Sequence, residues 1–166
     1  MNRTIKSIIG TSMLILALGA ASQVNAAGFT LPAGLACADF TLTINITPGD
    51  HYVVKEWVDE NGNPVRMLTA GRGADLEFIN EDTGATFYLM GNGSVSHTTY
   101  NSDKSSTVSA TGHNVLILFP SDLPSGVGPS TKQYVGRVVY SVAADGTWTL
   151  QKVNGRTTDI CAALSQ

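Results

Sequence analysis

The sequence predicts an all-β fold: a single antiparallel β-sandwich or closed β-barrel of about nine or ten strands, its termini tied by one disulfide. Three observations carry this. Apolar residues recur with a period of two rather than 3.6, and no stretch shows convincing amphipathic helical periodicity. Turn signals rich in Gly, Asn and Asp interrupt the chain at short spacing, as sandwiches and barrels require. Only two cysteines exist, Cys37 and Cys161, 124 positions apart. Periodicity alone does not choose between sandwich and barrel.

The elements follow in order. Residues 40–47 alternate strictly, with Phe40, Leu42, Ile44 and Ile46 on one face and Thr or Asn on the other, and Pro48-Gly49-Asp50 ends the run. Residues 52–58 are β-prone without clean alternation. The Asn-Gly of Asp59-Glu60-Asn61-Gly62-Asn63 then turns the chain into a return strand over 65–70. Asp59, Asn61 and Asn63 resemble the opening of a calcium loop, but Pro64 stands where that loop needs glycine and Ala70 where it needs its bidentate Glu, so a hairpin is expected.

Residues 74–80 and 85–90 form the next pair around Glu81-Asp82-Thr83-Gly84. Gly71-Arg72-Gly73 reads as a turn, since it lacks the third glycine and the helix of a dinucleotide fingerprint. In residues 94–111, 10 of 18 are Ser or Thr, which predicts a solvent-facing hairpin folded at Asn101-Ser102-Asp103-Lys104, with a disordered linker as the rival. The run Val115-Leu116-Ile117-Leu118-Phe119 is apolar throughout and too short for a helix. It predicts a central strand covered on both faces, ended by Pro120. Residues 134–143 and 146–153 make the last pair, turned at Ala144-Asp145-Gly146, and residues 157–164 a short helical turn carrying Cys161.

Ahead of this domain, Arg3 and Lys6 precede an apolar run over residues 8–21, followed by small residues with Val24 and Ala26 placed for cleavage. That is the layout of an export signal over 1–26. Its apolar run of about 14 residues is short of the roughly 20 a membrane-spanning helix needs. No Cys stands at the cleavage point, as a lipoprotein would require. Residues 27–166 would then be a secreted β-domain, extracellular, or periplasmic if the host has an outer membrane.

Removing 26 of 166 residues leaves 140, with 8 Lys or Arg against 13 acids, so the formal charge moves from −3 to −5. A chain of this balance is not expected to bind nucleic acid, and after cleavage no membrane span is left. In an exported chain an even pair of cysteines reads as a structural disulfide. There is no C-x-x-C, and no His flanks either Cys.

Parts of the sequence resemble a group of small secreted bacterial proteins common in actinobacteria. The residues that carry the likeness are Thr111-Gly112-His113-Asn114-Val115-Leu116-Ile117-Leu118-Phe119-Pro120, Pro129-Ser130-Thr131, Tyr134-Val135-Gly136-Arg137-Val138-Val139-Tyr140 and Gly155-Arg156-Thr157-Thr158-Asp159-Ile160-Cys161. Asn63-Pro64-Val65-Arg66 and Ala70-Gly71-Arg72-Gly73 extend it upstream. No activity is attached to that group, so the resemblance implies export and a β fold and transfers no catalytic residue.

No catalytic motif stands out. His51, His97 and His113 show no metal-ligand spacing, and neither a metal nor a cofactor is expected. Gly112 before His113 and Asn114 after it predict a tight turn there. There is no Gly-x-Ser-x-Gly elbow. The acids Asp50, Asp59, Glu60, Glu81, Asp82, Asp103 and Asp145 sit in turns, where their ordinary work is hydrogen bonding to the backbone. Asn45-Ile46-Thr47 and Asn92-Gly93-Ser94 are glycosylation sequons.

The longest connection runs over 121–133, and loops of this length are often binding loops. Its residues Ser121, Asp122, Pro124, Pro129, Lys132 and Gln133 are the candidate binding residues; the alternative is a cross-over from one sheet to the other. The expectation is a non-catalytic domain that binds a glycan, a cell-wall polymer or an extracellular protein through its loops. The alternatives are an exported hydrolase, with His97 or His113 beside an acid and a Ser, and a secreted inhibitor presenting 121–133 as a rigid loop. Sugar stacking would place Trp57, Tyr100, Tyr134 and Trp148 on one exposed face.

Overall fold

A computed structural model describes residues 27–49 and 51–166. The export signal expected over 1–26 lies outside the described residues, as does the turn residue Asp50. Ten strands and one short helix follow in order: β1 (Ala27–Leu31), β2 (Leu42–Thr47), β3 (Tyr52–Val58), β4 (Pro64–Arg72), β5 (Asp75–Asn80), β6 (Thr86–Leu89), β7 (Gly93–Tyr100), β8 (Ser106–Leu118), β9 (Ser130–Val142), β10 (Trp148–Asp159) and α1 (Ile160–Leu164). They form a four-stranded sheet, β1-β2-β5-β6, and a six-stranded sheet, β10-β9-β8-β7-β4-β3, with every strand pair antiparallel. The expected all-β class and terminal disulfide are present, and of the two closures left open by the sequence the structure has the sandwich-like one, with two sheets.

Alternation in β2 puts Leu42 and Ile44 on the buried face, where Phe78 of β5 meets them. The segment between β1 and β2 adds Ala36, Cys37 and Phe40, and α1 adds Ile160 and Leu164. Val115 and Ile117 of β8 pack on this core from the six-stranded sheet. The even-numbered face of the same sheet buries a second cluster: Val108, Ala110, Leu116, Leu118, Tyr134 and Val138. The last turns of β8 are thus covered on both faces, as their unbroken apolar run predicts.

Two buried hydrogen bonds tie the layers together beside the Cys37–Cys161 disulfide. The Asn80 amide donates to the Leu164 carbonyl (3.0 Å), and the Thr131 hydroxyl donates to the Ala36 carbonyl (3.1 Å). The first accepts no intrahelical bond at the end of α1, so Asn80 supplies the partner a helix terminus lacks. Asp159 caps the other end by accepting from the Ala162 N–H at 3.0 Å.

The strands pass between sheets at one corner. β4 runs into β5 through Gly73-Ala74 and β6 into β7 through 90–92, and both pairs keep one register, Arg66↔Thr99 to Arg72↔Gly93 and then Leu76↔Leu89 to Ile79↔Thr86. Asp75 organises this corner. It accepts from the Gly91 N–H (2.5 Å) and the Tyr88 hydroxyl (3.1 Å) and pairs with Arg72 (3.3 Å).

The Gly91 N–H, above all, holds the Asp75 carboxyl below its ordinary range, with the Tyr88 and Arg72 contacts adding to it. A depressed native pKa contributes stability that is present above the unfolded value of about 3.9 and is lost as pH falls through the native value. Asp75→Asn should therefore flatten the acid limb. Between pH 5 and pH 2 the parent's melting temperature should fall more steeply than the variant's, and parallel curves would exclude the corner as the source.

Several expectations need correction. Residues 112–114 form no turn: β8 is one strand of 13 residues, which merges the second arm of the predicted hairpin with the predicted strand 115–119. Gly112 meets its need for a positive φ (89°) inside the strand, where it pairs with Ser94 on one side and Gly136 on the other. Gly136 in turn pairs with Gly155, so three glycines with positive φ line up across three strands. Glycine in strand interiors marks a bend or a close backbone approach, and both occur: a Cβ on Gly112 would lie 2.3 Å from the Gly93 carbonyl oxygen, and one on Gly136 would lie 2.4 Å from that of Asn154.

The 94–111 hairpin is ordered and turns where expected, but it is not wholly solvent-facing. Thr98, Val108 and Ala110 are buried because they share the face that carries the second cluster. Gly71 and Arg72 remain within β4, so the turn is confined to the two residues after them. Residues 157–159 belong to β10, and the helix begins at Ile160. β1 carries no alternation strong enough to announce it; its pairing with β2, Phe29 against Ile44, defines it.

Candidate functional site

The connection expected over 121–133 is shorter and joins neighbours in one sheet. β9 begins at Ser130, so Lys132 and Gln133 lie on a strand, and the chain does not cross between sheets here. Asp122 is buried; one oxygen accepts from the Phe119 N–H (2.6 Å) and the other from the Trp148 N–H (2.8 Å). Leu123 adds a parallel rung against β10, donating to the Trp148 carbonyl and accepting from the Leu150 N–H, each at 2.7 Å. Val127 packs on the second cluster. Ser121 and Pro124 are exposed and Pro129 half-buried, while Lys132 pairs with Asp159 at 3.4 Å. The segment is held against the sheet and covers part of the β10 edge, a protection that edge strands need.

The residues proposed for catalysis do not come together. His97 sits on β7 opposite Leu68 and Ser109. His113 lies four residues beyond Ser109 on β8, roughly 13 Å further along the strand. It lines a crevice of about 180 Å³ with Asn92 and Gln133, and no carboxylate lines it. Among the described residues no group of three or more His, Cys, Asp or Glu is placed to hold a metal ion. The four aromatics also part company. Tyr134 is buried, Trp148 stacks on Tyr140 (4.6 Å between centroids), Tyr100 donates to the Met67 sulfur, and Trp57 lies on the opposite face beneath Lys55 and Arg66. The described chain is a β-domain without an evident catalytic constellation.

A concave polar surface does exist, between two hairpin tips that local sequence treats as separate turns. Pairing of β4 with β7 sets the β3–β4 turn beside the β7–β8 turn. Between them lies a cleft of about 490 Å³ lined by Asp59, Asn63, Tyr100, Asn101, Ser102 and Lys104, with Pro64 and Val65 as its apolar wall. Each tip is braced by an acid. Asp59 accepts from the Asn61 and Asn63 N–H groups (2.8 and 2.9 Å) and from the Asn63 amide (3.0 Å), so the hairpin reading of this stretch holds. Asp103 accepts from the Ser105 N–H at 2.9 Å and the Ser105 hydroxyl at 2.6 Å. These bonds hold both carboxyls below their usual range, the Asn63 amide contributing most at Asp59 and the Ser105 hydroxyl most at Asp103.

The bracing decides which groups are left for a ligand. One N–H of the Asn63 amide is committed to Asp59 and one of the Asn101 amide to the Ser105 hydroxyl. Their carbonyl oxygens, the Ser102 hydroxyl and the Lys104 ammonium are not. The cleft therefore offers acceptors and donors on a preset frame, beside the ring of Tyr100. No local signal could have revealed it, since some 40 residues separate its two sides. Of the two sequons, Asn45 is half-buried on β2 and donates to Glu77 of β5 (2.9 Å), and Asn92 is exposed in the β6–β7 connection.

In comparisons with known proteins the chain matches no family model, no curated protein and no solved structure. The resemblance to small secreted actinobacterial proteins thus gains no support beyond the fold itself, a small and mostly β-strand domain. No helix among the described residues is long and apolar enough to cross a membrane.

Proposed function

We propose that this protein is an exported, non-catalytic domain that binds a polysaccharide of the cell exterior in the cleft between its hairpin tips. The cleft is the observation that carries the reading. Sugar hydroxyls both donate and accept, and the free Ser102, Lys104, Asn63 and Asn101 groups match that dual character. Pockets that orient a ligand do so with a few placed polar groups beside an apolar surface, and here Tyr100 and Pro64 supply the latter. The frame is preset, which lowers the ordering cost of binding. Export is supported by the basic, apolar and small-residue succession over 1–26 and by a disulfide, a bond that persists in oxidising compartments.

Expressed in a bacterium, the protein is expected outside the cytoplasm with Ala27 as its first residue. There it should be retained by at least one of peptidoglycan sacculi, cellulose and chitin. The double variant Ser102→Ala/Lys104→Gln removes two exposed contacts and should bind about 10-fold more weakly, which corresponds to about 1.4 kcal/mol, with an unchanged melting temperature. Equal retention of parent and variant would overturn the cleft as the site, and an uncleaved chain kept in the cytoplasm would overturn export.

A further inference from the structure

Beyond the glycine row, the odd-numbered face of β7, β8 and β9 and the matching faces of β3, β4 and β10 are open to solvent. One row crosses all six strands in register: Lys55, Leu68, His97, Ser109, Val139 and Lys152. At about 4.8 Å per strand it spans roughly 24 Å, with a lysine at each end. Arg66 and Arg137 occupy neighbouring rows on opposite sides of it. Thr99, Thr107, Ser109 and Thr111 fill the space between these cations with hydroxyls.

No position of this open face carries a carboxylate. Eight of the thirteen acids are held at other places in the fold. Asp59, Asp103 and Asp145 brace their own turns, Asp122 is buried, Asp75 holds the corner, Asp159 pairs with Lys132, and Glu77 receives Asn45. Glu56 pairs with Met67 on the other face of β3 and β4. None of Lys55, Arg66, Arg137 or Lys152 has a carboxylate partner among the described residues. Lys55 and Arg66 lie 4.9 and 4.5 Å from the centre of the Trp57 ring, and Arg137 donates one N–H to the Ser109 hydroxyl (3.2 Å).

We infer that this open sheet face is a binding surface for an anionic, carboxylate-bearing polysaccharide chain laid across the strands from Lys152 to Lys55. The proposal takes only the ligand class, a polysaccharide, from the reading above; it names a second surface and the charge of the polymer. Charge complementarity selects the occupant. An overall charge of −3, or −5 without residues 1–26, repels polyanions at long range, but fields at physiological salt are screened within about 8 Å, so a chain lying on this face meets four cations. Rows of Thr and Ser hydroxyls suit the sugar units between its carboxylates. The surface is a poor stacking platform for nucleic acid, because Trp57, the only Phe, Tyr or Trp on this face, is half-buried and already covered by two cations.

The test uses polygalacturonate as the anionic probe and dextran as the neutral one. The parent is expected to bind polygalacturonate at low salt, progressively less as salt rises, and to bind dextran at least 10-fold more weakly. The triple variant Lys55→Gln/Arg137→Gln/Lys152→Gln should keep its melting temperature, lose at least 10-fold in affinity and show a flatter salt dependence. Equal binding of the variant, equal binding of dextran, or a preference for duplex DNA or anionic vesicles over polygalacturonate would each overturn the proposal. Loss of binding in the triple variant with none in Ser102→Ala/Lys104→Gln would sustain the charged face and reject the cleft. The reverse would reject the face and leave the cleft standing.

Discussion

Replacing both Cys37 and Cys161 by alanine is expected to cost about 5 kcal/mol of stability. The bridge closes a separation of 124 residues, and releasing a loop of that size restores about that much chain entropy to the unfolded state, before native strain is set against it. Folded domains are stable by only about 5–15 kcal/mol, so a large share is at stake. Structure concentrates the damage. α1 has five residues, too short to hold helical form alone, and its Ile160 and Leu164 are fully buried in the core that Ala36, Cys37 and Phe40 complete. Urea unfolding of the double variant should show a markedly lower midpoint and a somewhat steeper slope, because the unfolded chain without its cross-link exposes more surface. A midpoint equal to that of the parent would mean that packing and the Asn80–Leu164 and Thr131–Ala36 hydrogen bonds hold the termini without the bridge.

The second large effect belongs to the glycine row. Gly112→Ala should destabilise by about 3 kcal/mol or more. Of this, about 1–2 kcal/mol is the ordinary penalty for a side chain at positive φ. The rest is crowding, since the new Cβ meets the Gly93 carbonyl oxygen and the Ser94 Cα, and backbone atoms of a paired strand cannot swing aside. Gly62→Ala separates the two contributions. Gly62 has nearly the same φ, 84° against 89°, and nothing within 4 Å of a built Cβ, so it should cost only about 1–2 kcal/mol. Equal losses at the two positions, measured by chemical denaturation, would show that the strands separate to admit the methyl group and that the row is no tight approach.

The two substitutions bear differently on what could be read in advance. Two cysteines in a chain whose first residues read as an export signal announce their bond, because the sequence offers no other partner for either. Gly112 also stands out in sequence, beside His113 and Asn114, but its setting does not. A glycine that needs positive φ reads as a turn until Gly136 and Gly155 are seen opposite it. Likewise, strand 40–47 is legible because alternation records a half-buried face, and the run 115–119 because it records two buried faces. β1 records neither, since its definition comes from β2. The connection after Pro120 looks like a free loop because Asp122 reads as one more turn acid, whereas its two backbone donors come from Phe119 and from Trp148, 26 residues away.

The same division separates what each source of information decided about this protein. The β class, the near-complete set of strands, the hairpin turns and the disulfide follow from sequence alone, because period-two burial, turn chemistry and cysteine pairing are encoded over short spans or by elimination. The division into two sheets, the corner at Asp75, the cleft between the 59–63 and 101–104 tips and the cation-only face follow only from tertiary structure. Each depends on which strands lie side by side, and that choice is made by burial summed over residues far apart in the chain. Lys55 and Lys152 are unremarkable surface lysines in the sequence; six paired strands set them in one row.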